Sequence, residues 1–430
     1  MTRLIPLCAL VALVIPTRGA AAPWPYYRGP DRDGHSAENS HWTGGAWLPD
    51  KPAWGREVGH GATSPIAIAG RVYVMGWSDG QDYLWCLDAA SGAEIWVQRY
   101  KCPEYGRHHR GDENLYRGPS ATPAYDEASG CIYTLSIDGD LNCWDTNAAG
   151  RKLWGLNLHD AFKVGRRPDA GGGVRDYGYT SSPLVIGQTL IVEVGGEDAN
   201  LVALDKMTGK MQWQSECKDP AGHNSGPVPM VIEGIPCLAA VTQNRLLVCR
   251  TDAGHEGETL ATYDWQTAYA NNVVGPVVLR DTVILTSNYN LNRTVRIKIE
   301  PGKATELWRQ DHFSKVCTPV IHQGRLYFAW HKLRCADVET GQTLWTGGSF
   351  GDDASCIVTA DDRLIVWGRK KVALVQTDRT AEGAYTELSS RGKLAKTYCW
   401  PHVVLSDGRL LLKDSGGSLQ CFDLGAQTGQ

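Results

Sequence analysis

Hydrophobic and polar positions alternate in short runs along most of this 430-residue chain, and the runs end at glycine or at an aspartate-rich turn. One such unit has an alternating run at residues 200–204, a turn signal from Asp205 to Gly209, and a second run that carries Trp213. Alternation with a period of two predicts strands, and Asp and Gly are typical of tight turns. No long stretch has the 3.6-residue period of an amphipathic helix. The pattern therefore predicts an all-β protein.

The aspartate turn and its tryptophan recur along the chain. In three copies the aspartate is followed by a hydroxyl residue at the third position, a glycine at the fourth and a tryptophan at the eighth, and two more copies keep variants of this spacing. The tryptophans are Trp96, Trp154, Trp213, Trp308 and Trp345. Self-similarity at this scale indicates a repeat architecture. Because a Trp side chain buries roughly 150–250 Å², we predict that each one docks its sheet against the next.

A second repeated signal, usually Ser, Thr or Gly before a proline, precedes the first strand of each unit. It occurs near residues 64, 122, 182, 226, 275, 318, 355 and 400. Proline is tolerated at the first residue of a strand. Four strands in about 45 residues is typical of a propeller blade. The chain therefore predicts an eight-bladed β-propeller of four-stranded antiparallel blades, with seven blades as the alternative because the units near Asp252 and Ser355 lack a clear tryptophan.

The two ends of the chain complement each other. The last unit reaches Asp423 with too few residues left for an outer strand, whereas residues 52–58 carry an outer strand around Trp54 with no unit before it. We predict that Trp54 supplies the missing strand and closes the ring, so that no long strand edge stays open. The expected organisation is a leader at residues 23–50 and a propeller domain at residues 51–430.

The N-terminus predicts export. Arg3 is followed by an apolar run at residues 4–15 and by small residues at 19–22, the pattern of a secretory signal peptide over residues 1–22. The apolar run is too short to span a bilayer. We therefore expect a periplasmic or secreted protein that does not span the membrane. The net charge of −4 argues against nucleic acid as the main partner.

Cysteines follow the repeat as well. Cys86, Cys143, Cys335 and Cys421 each lie two residues before the acidic residue of the turn, which predicts small apolar fillers of one interior position. The chain has no Cys-x-x-Cys pair, so a cysteine-ligated metal is not expected. The pairing of the cysteines as disulfides stays open.

The unit at residues 203–213 resembles the tryptophan-docking repeat of the pyrroloquinoline quinone (PQQ)-like propeller superfamily. The segment at residues 24–34 is similar to the leader of secreted PQQ-like propellers common in planctomycete-type bacteria. The resemblance extends over essentially the whole chain after the signal peptide and implies an eight-bladed ring. The superfamily includes quinoprotein alcohol and glucose dehydrogenases, and a non-catalytic lipoprotein that helps to assemble outer-membrane barrels.

By the same resemblance, the alcohol-dehydrogenase branch uses PQQ with a calcium ion, a stacked tryptophan, a disulfide between adjacent cysteines and an aspartate base. This sequence has no adjacent cysteines and no Cys-x-x-Cys-His haem motif. No catalytic residue is assigned. The predicted function is a non-catalytic binding or protein-interaction scaffold whose partner is an envelope or secreted protein, or a small anionic ligand. The alternatives are a PQQ- and calcium-dependent oxidoreductase acting on alcohols or sugars, and an outer-membrane protein assembly factor.

Two long connections supply the candidate ligand-binding residues. Residues 99–118 and 155–180 each join an outer strand to the next inner strand, so both are expected on one face of the ring, where repeat proteins build binding surfaces. The candidates on these connections are Arg107, His108, His109, Arg110, Arg166, Arg167, Arg175 and Tyr177.

Arginine offers a bidentate fork to a carboxylate or phosphate, which favours an anionic ligand. A metal held by His108, His109, Asp112 and Glu113 is a second hypothesis, although adjacent histidines on an extended chain point in opposite directions. The third is that both connections are solvated and their charges nearly cancel. No metal ligand is assigned on this basis.

Overall fold

The computed structural model describes residues 22–104, 116–165, 177–378 and 383–425. In these residues the chain forms eight separate antiparallel sheets, and helix is almost absent. Within the described part, no helix has the length and apolar character needed to cross a membrane. The predicted signal peptide lies outside the described residues, apart from Ala22.

The sheets are the blades of a β-propeller, and β1 (Trp54–Glu57) comes before the first of them. In chain order, blade 1 has β2 (Ile66–Ile68), β3 (Arg71–Ser78), β4 (Gln81–Asp88) and β5 (Glu94–Lys101); blade 2 has β6 (Ala124–Asp126), β7 (Cys131–Leu135), β8 (Asp140–Asp145) and β9 (Arg151–Asn157); blade 3 has β10 (Leu184–Ile186), β11 (Thr189–Glu193), β12 (Leu201–Asp205) and β13 (Met211–Gln214); blade 4 has β14 (Val228–Ile232), β15 (Ile235–Val241), β16 (Arg245–Arg250) and β17 (Thr259–Asp264). Blade 5 has β18 (Val277–Leu279), β19 (Thr282–Ser287), β20 (Arg293–Glu300) and β21 (Lys303–Gln310); blade 6 has β22 (Val320–His322), β23 (Arg325–Asp337) and β24 (Thr343–Gly351); blade 7 has β25 (Ser355–Val358), β26 (Arg363–Gly368), β27 (Lys371–Gln376) and β28 (Glu387–Arg391); blade 8 has β29 (Val404–Ser406), β30 (Arg409–Lys413) and β31 (Ser418–Asp423). The helical elements are α1 (Leu158–Phe162) and two 3-10 turns (Thr146–Ala148 and Ala268–Ala270).

Eight blades are therefore confirmed, and the two units without a clear tryptophan are complete blades. In blades 1 to 6 the inner strand begins at the residue after the proline of the start signal. Blade 6 shows a local difference, because the long strand β23 takes the places of two strands. Its first part pairs with β22 and its second part, from His331 onward, pairs with β24.

Closure of the ring by the N-terminal strand is also confirmed. The strand β1 pairs antiparallel with β31, with Trp54 opposite Cys421, and becomes the outer strand of blade 8. The Trp54 indole donates a hydrogen bond of 2.9 Å to the carbonyl of Ala89 in blade 1. This contact joins the last blade to the first.

The tryptophans of the repeat, apart from Trp308, occupy one register position. Trp54, Trp96, Trp154, Trp213 and Trp345 each lie opposite the residue two before the turn acid, which is Cys86, Cys143, Cys335 or Cys421 in four blades. Trp308 differs, because it lies opposite Arg296, four residues before Glu300. In blades 1 to 7 the register shifts immediately after the residue opposite the tryptophan position. All four cysteines are fully buried, as expected of interior fillers. The twelve cysteines in the described part carry free thiols.

The glycine of each turn explains how the tryptophans reach the next blade. A Cβ added to Gly92, which has φ +68°, would lie 2.5 Å from the Trp54 ring, and one added to Gly150 would lie 2.6 Å from Trp96. Only glycine leaves room for the indole there and also adopts positive φ readily. Gly209 and Gly341 meet Trp154 and Trp308 in the same way.

The other two tryptophans of the repeat make different contacts. Trp345 donates to the Asp378 carboxylate of blade 7 at 3.1 Å. Trp213 is half-buried against the cluster between blades 3 and 4.

Blades 4 and 7 have Ala261 and Ser389 at the tryptophan position. In blade 7 the leader supplies an aromatic ring from outside the repeat. The Trp47 amide donates to the Ser389 hydroxyl at 3.1 Å, and the Trp47 side chain is buried in the core shared by blades 7, 8 and 1. The leader therefore fills one gap in the repeated pattern.

The leader also crosses the ring on the side where the inner strands end. Trp24 pairs with Ala67 of blade 1, and the backbone around Ser36 pairs with Val358 of blade 7. Arg28 donates to the carbonyl of Pro319 at 2.6 Å, at the start of the inner strand of blade 6. Arg32 donates to the carbonyl of Pro183 in blade 3, opposite blade 7, at 3.3 Å. These contacts close the central channel from one face, which we call the leader face.

Candidate functional site: the axial funnel

A cavity of about 170 Å³ opens on the face opposite the leader. Its lining comes from the connections that precede the inner strands of seven blades, so the cavity lies on the propeller axis; we call it the axial funnel. These connections contribute Ala62, Ser120, Thr180, Ser225, Val273, Lys315 and Trp400.

The leader forms the floor of the funnel. Tyr27 reaches the lining, and its hydroxyl lies 2.9 Å from Nε2 of His402 and 3.4 Å from the hydroxyl of Thr318. Behind it, Arg28 is 3% exposed and donates to two backbone carbonyls. The channel is therefore a blind funnel rather than an open pore.

Burial, and then the charge of Arg28, lower the pKa of His402 to about 3. The imidazole is 3% exposed, and its Nδ1 has no hydrogen-bond partner among the described residues. An effective general base has a pKa near the working pH. His402 is consequently neutral at physiological pH and poorly suited to proton transfer.

One wall of the funnel is aromatic. Trp400 stacks between two tyrosines, with ring centroids 4.4 Å from Tyr398 and 5.4 Å from Tyr116. The series continues edge-on from Tyr116 to Tyr177 at 5.1 Å and from Tyr177 to His223 at 4.8 Å. Such ring contacts fix the side chains and leave a rigid, partly apolar surface.

Two cations complete the lining. The Arg117 guanidinium lies 5.5 Å from the centre of the Trp77 ring, and the Lys315 ammonium pairs with Asp352 at 2.7 Å. No carboxylate belongs to the described part of the lining. The funnel therefore favours an anionic group on its ligand.

The described residues do not fit calcium-bound PQQ. Calcium takes six to eight oxygen ligands, usually including carboxylates, and the described lining offers none. No group of three or more His, Cys, Asp or Glu residues within the described ranges is arranged to hold a metal ion.

Of the candidate residues from the sequence, Tyr177 lies in the funnel lining. It is half-buried, and its backbone amide donates to the His223 ring at 3.1 Å. The other seven candidates, Arg107, His108, His109, Arg110, Arg166, Arg167 and Arg175, lie outside the described residues. Tyr116 and Tyr177 are the first described residues after the gaps in the two long connections, and their contact brings the ends of these connections together on one face.

Sequence reasoning missed Trp400, Lys315, His223 and the floor residue Tyr27. The sequence identified Trp400 only as the start signal of blade 8, and this start was placed too early, because the inner strand β29 begins at Val404, three residues after Pro401. His402 therefore occupies the position that Ser64 and Thr122 have in blades 1 and 2, and its amide donates to the Ser64 hydroxyl at 2.8 Å. Lys315, His223 and Tyr27 carry no repeated signature.

A family model of PQQ-like repeats, described as outer membrane protein assembly factor BamB, matches residues 107–347, which is more than half of the chain. The chain belongs to the PQQ-like β-propeller family. No curated protein matches it.

Solved structures show the same fold at low sequence identity. BamB from Moraxella catarrhalis has a TM-score of 0.59 at 11% identity, over 87% of this chain and 99% of that one. The quinohemoprotein alcohol dehydrogenase ADHIIG from Pseudomonas putida HK5 has a TM-score of 0.61 at 12% identity, over 95% and 81%. The computationally designed Ika8 protein has 0.56 at 11%, over 88% and 100%. Since one ring serves an assembly factor, an enzyme and a design, this PQQ-like propeller needs a function argued from its own site.

Proposed function

We propose that this PQQ-like propeller is an exported, non-catalytic binding scaffold that holds an anionic group of a partner or small ligand in the axial funnel. The supporting observation is the combination of Arg117 and Lys315 with a stacked aromatic wall, in a described lining without carboxylates. Binding sites typically combine an apolar, aromatic surface with a few placed polar groups. Arginine adds a planar fork that suits a carboxylate or phosphate.

The floor supports binding rather than chemistry. His402 and Tyr27 are the titratable pair at the base of the funnel, and burial moves both away from use near neutral pH. It lowers the pKa of His402 to about 3 and raises the pKa of Tyr27 above its usual value. A rigid funnel with a neutral floor and two cations in its lining would bind an anion without catalysing a reaction of it.

Export rests on the sequence pattern at residues 1–22 and places the partner in the cell envelope or outside the cell. The BamB-type family match favours a second candidate function, assistance in outer-membrane protein assembly. Crosslinking in envelope extracts tests it, since recovery of a barrel-assembly component would support that role and its absence would leave the general scaffold.

The enzymatic alternative is tested with purified protein, PQQ and calcium. We expect no saturable reduction of an electron-accepting dye with alcohols or sugars, because the described lining lacks calcium ligands. Saturable, substrate-dependent reduction would overturn the non-catalytic assignment.

The binding role is tested with benzene-1,3,5-tricarboxylate as an aromatic anionic probe in a thermal-shift titration. We expect it to raise the melting temperature of the wild type and to have little effect on an Arg117→Ala/Lys315→Ala variant. Lys303→Ala, an exposed lysine on blade 5, is the matched control. Equal stabilisation of the double variant and the wild type would place the anion site elsewhere.

A further inference from the structure

A second depression lies next to the axial funnel, with a volume of about 920 Å³. It is formed by turns and connections of blades 6, 7 and 8. We call it the basic groove and define it by His331, Arg369, Lys370, Lys396 and Tyr398.

The cations of the basic groove outnumber its available anions. Arg369 donates to the Ser349 hydroxyl at 2.6 Å, and Lys370 donates to the carbonyl of Lys396 at 2.7 Å. Neither side chain forms an ion pair within the described residues. Lys396 does form one, an exposed pair with Glu57 at 2.9 Å.

The two carboxylates of the groove are already engaged. Asp352 pairs with Lys315 at 2.7 Å. Asp353 is buried and accepts hydrogen bonds from the backbone amides of Arg369 and Cys399 at 2.9 and 2.8 Å. The lining has three cations, Arg369, Lys370 and Lys396, against these two carboxylates, so the groove is locally positive on a chain whose net charge is −4.

The turn that carries two of these cations is conformationally unfavourable. Arg369 and Lys370 are the central residues of the hairpin between β26 and β27, with φ of 50° and 60°. Two-residue hairpin turns with positive φ at both positions prefer Asn-Gly or Asp-Gly. The blade 1 hairpin at Asp79 and Gly80 follows that preference. Local turn propensity therefore does not account for the Arg-Lys pair.

An open aromatic platform connects the basic groove to the axial funnel. Tyr398 is 44% exposed and lies nearly parallel to Trp400, at an interplanar angle of 8°. The opposite face of Trp400 is covered by Tyr116, so Tyr398 ends the stack. A ligand on Tyr398 would have cations on one side and the funnel on the other.

We propose that the basic groove binds an acidic polysaccharide chain, with a sugar ring on Tyr398 and its carboxylates against Arg369 and Lys370. The flat C–H face of a pyranose ring packs well on an aromatic ring, and regularly spaced carboxylates suit the adjacent cations of the turn, with Lys396 on the next connection. This proposal rests on the binding role above and names its ligand class.

An acidic peptide fits less well. The groove is lined mainly by turns and connections, and Gly351, the last residue of β24, is the single residue of an edge strand in its lining. The groove therefore offers no row of unpaired backbone groups for an added strand. Its lining side chains are charged or polar apart from Tyr398, and Gly351 has none, so the groove has no apolar pocket for a peptide side chain. The acidic net charge of the chain disfavours nucleic acid.

The test is equilibrium binding of fluorescently labelled hexagalacturonate to the whole mature protein, measured by fluorescence anisotropy. We expect saturable binding that weakens as salt increases. The fully methyl-esterified hexamer, which has the same backbone without charge, should bind at least roughly tenfold more weakly. No saturable binding of hexagalacturonate, or equal or tighter binding of hexaglutamate or a single-stranded hexanucleotide, would overturn the proposal.

One variant separates binding from folding. Arg369→Asn combined with Lys370→Gly removes both charges and installs the residue pair that this turn prefers. We expect an unchanged or higher melting temperature together with a roughly tenfold loss of affinity for hexagalacturonate. Unchanged affinity in this variant would contradict the proposal.

A matched pair of alanine variants tests the aromatic platform. Tyr398→Ala should weaken binding severalfold, whereas Leu344→Ala, which removes a side chain of similar exposure on an outer strand, should not. If Arg117→Ala abolishes binding and the turn variant does not, the ligand is in the funnel; the groove proposal then fails and the proposed scaffold function stands. Saturable oxidation of an alcohol or sugar in the presence of PQQ and calcium would instead overturn the proposed function.

Discussion

The leader face and the funnel face of the ring are built on the same blades but use their side chains differently. On the leader face, Trp24 and Arg28 are 1% and 3% exposed. The Trp24 backbone pairs with Ala67, and Nη2 of Arg28 donates to two backbone carbonyls. On the funnel face, Tyr116, Tyr177 and Lys315 are half-buried, and Tyr398 is open. The side chains of the leader face are buried like those of a protein core, whereas several side chains of the funnel face remain accessible to solvent.

This difference comes from segments outside the repeat. Each blade presents similar strand ends to both faces, but the leader covers one face, and the connections that precede the inner strands line the other. Stability should therefore depend on the leader and on ring closure, and binding on the funnel face. Substitutions of matched residues on the two sides can break or sharpen this distinction.

The largest loss of stability is expected for Trp54→Ala. This side chain is 8% exposed and carries the contact between the last blade and the first. Replacing a buried Trp by Ala typically costs about 3–5 kcal/mol. We expect a loss of that size in the free energy of unfolding, measured by urea titration. A loss no larger than that of Tyr398→Ala, on the exposed platform, would show that the closure contact contributes little.

A glycine pair checks the same contact from the other side. In Gly92→Ala the new methyl group would overlap the Trp54 ring, whereas Gly254, also at positive φ (+82°), has nothing within 4 Å. The left-handed backbone alone costs roughly 1–2 kcal/mol per residue, and both variants incur it. The excess loss in Gly92→Ala therefore measures the docking clash, and equal losses would argue against tight docking.

The second largest effect is expected for Arg28→Met on the leader face. The substitution leaves the carbonyls of Asp33 and Pro319 without this donor, and an unsatisfied buried polar group costs about 1–3 kcal/mol. We expect a loss of about 2–3 kcal/mol by urea titration. Arg117→Met on the funnel face is the control and should change stability by less than about 0.5–1 kcal/mol. A reversed order would remove the distinction between the faces.

The free energy of unfolding should decrease in acid because of the buried histidine of the funnel floor, His402. The pKa of His402 is about 3 in the folded protein, below the ordinary value of 6.5. Between these values the unfolded state binds a proton that the folded state resists, so stability falls as the pH falls. From pH 6.5 to 4.5 we expect His402 to account for a loss on the order of 2 kcal/mol.

The comparison variant is His402→Gln, which retains a polar group opposite Tyr27 but does not titrate. Its urea-unfolding free energy should depend less steeply on pH in this interval. Parallel pH profiles for the two proteins would mean that His402 is not held neutral by its surroundings.

The repeated part of the molecule was predictable from the sequence, and the reason is physical. The Asp turn, its glycine and the outer tryptophan interact within one blade or between neighbours, so their spacing repeats. The single copy of Trp54 before the first blade and the short last unit together predicted closure. The sequence signal for blades 4 and 7 was weaker, because Ala261 and Ser389 replace the tryptophan.

The two faces were much less predictable. Tyr27 and His402 are 375 residues apart in sequence, and no local pattern connects them. Trp47 takes its place beside Ser389 through the path of the leader, which does not repeat. Of the funnel lining, Tyr177 was found because it lies on a long connection, and Trp400 was identified only as a blade start.

The smallest stability change among these predictions is expected for Tyr177→Ala, and it sharpens the comparison most directly. Tyr177 contacts Tyr116 and His223 edge-on, and aromatic pairs contribute about 0.5–1.5 kcal/mol beyond area burial. We expect a loss of about 1 kcal/mol in unfolding free energy, together with weaker stabilisation by benzene-1,3,5-tricarboxylate. Tyr125→Ala, which removes a half-buried ring stacked on Tyr73 within the blades, is the control and should leave the probe response intact. If Tyr177→Ala were as damaging as Trp54→Ala and left the probe response unchanged, the aromatic wall would be part of the structural core, and the funnel face would not be specialised for binding.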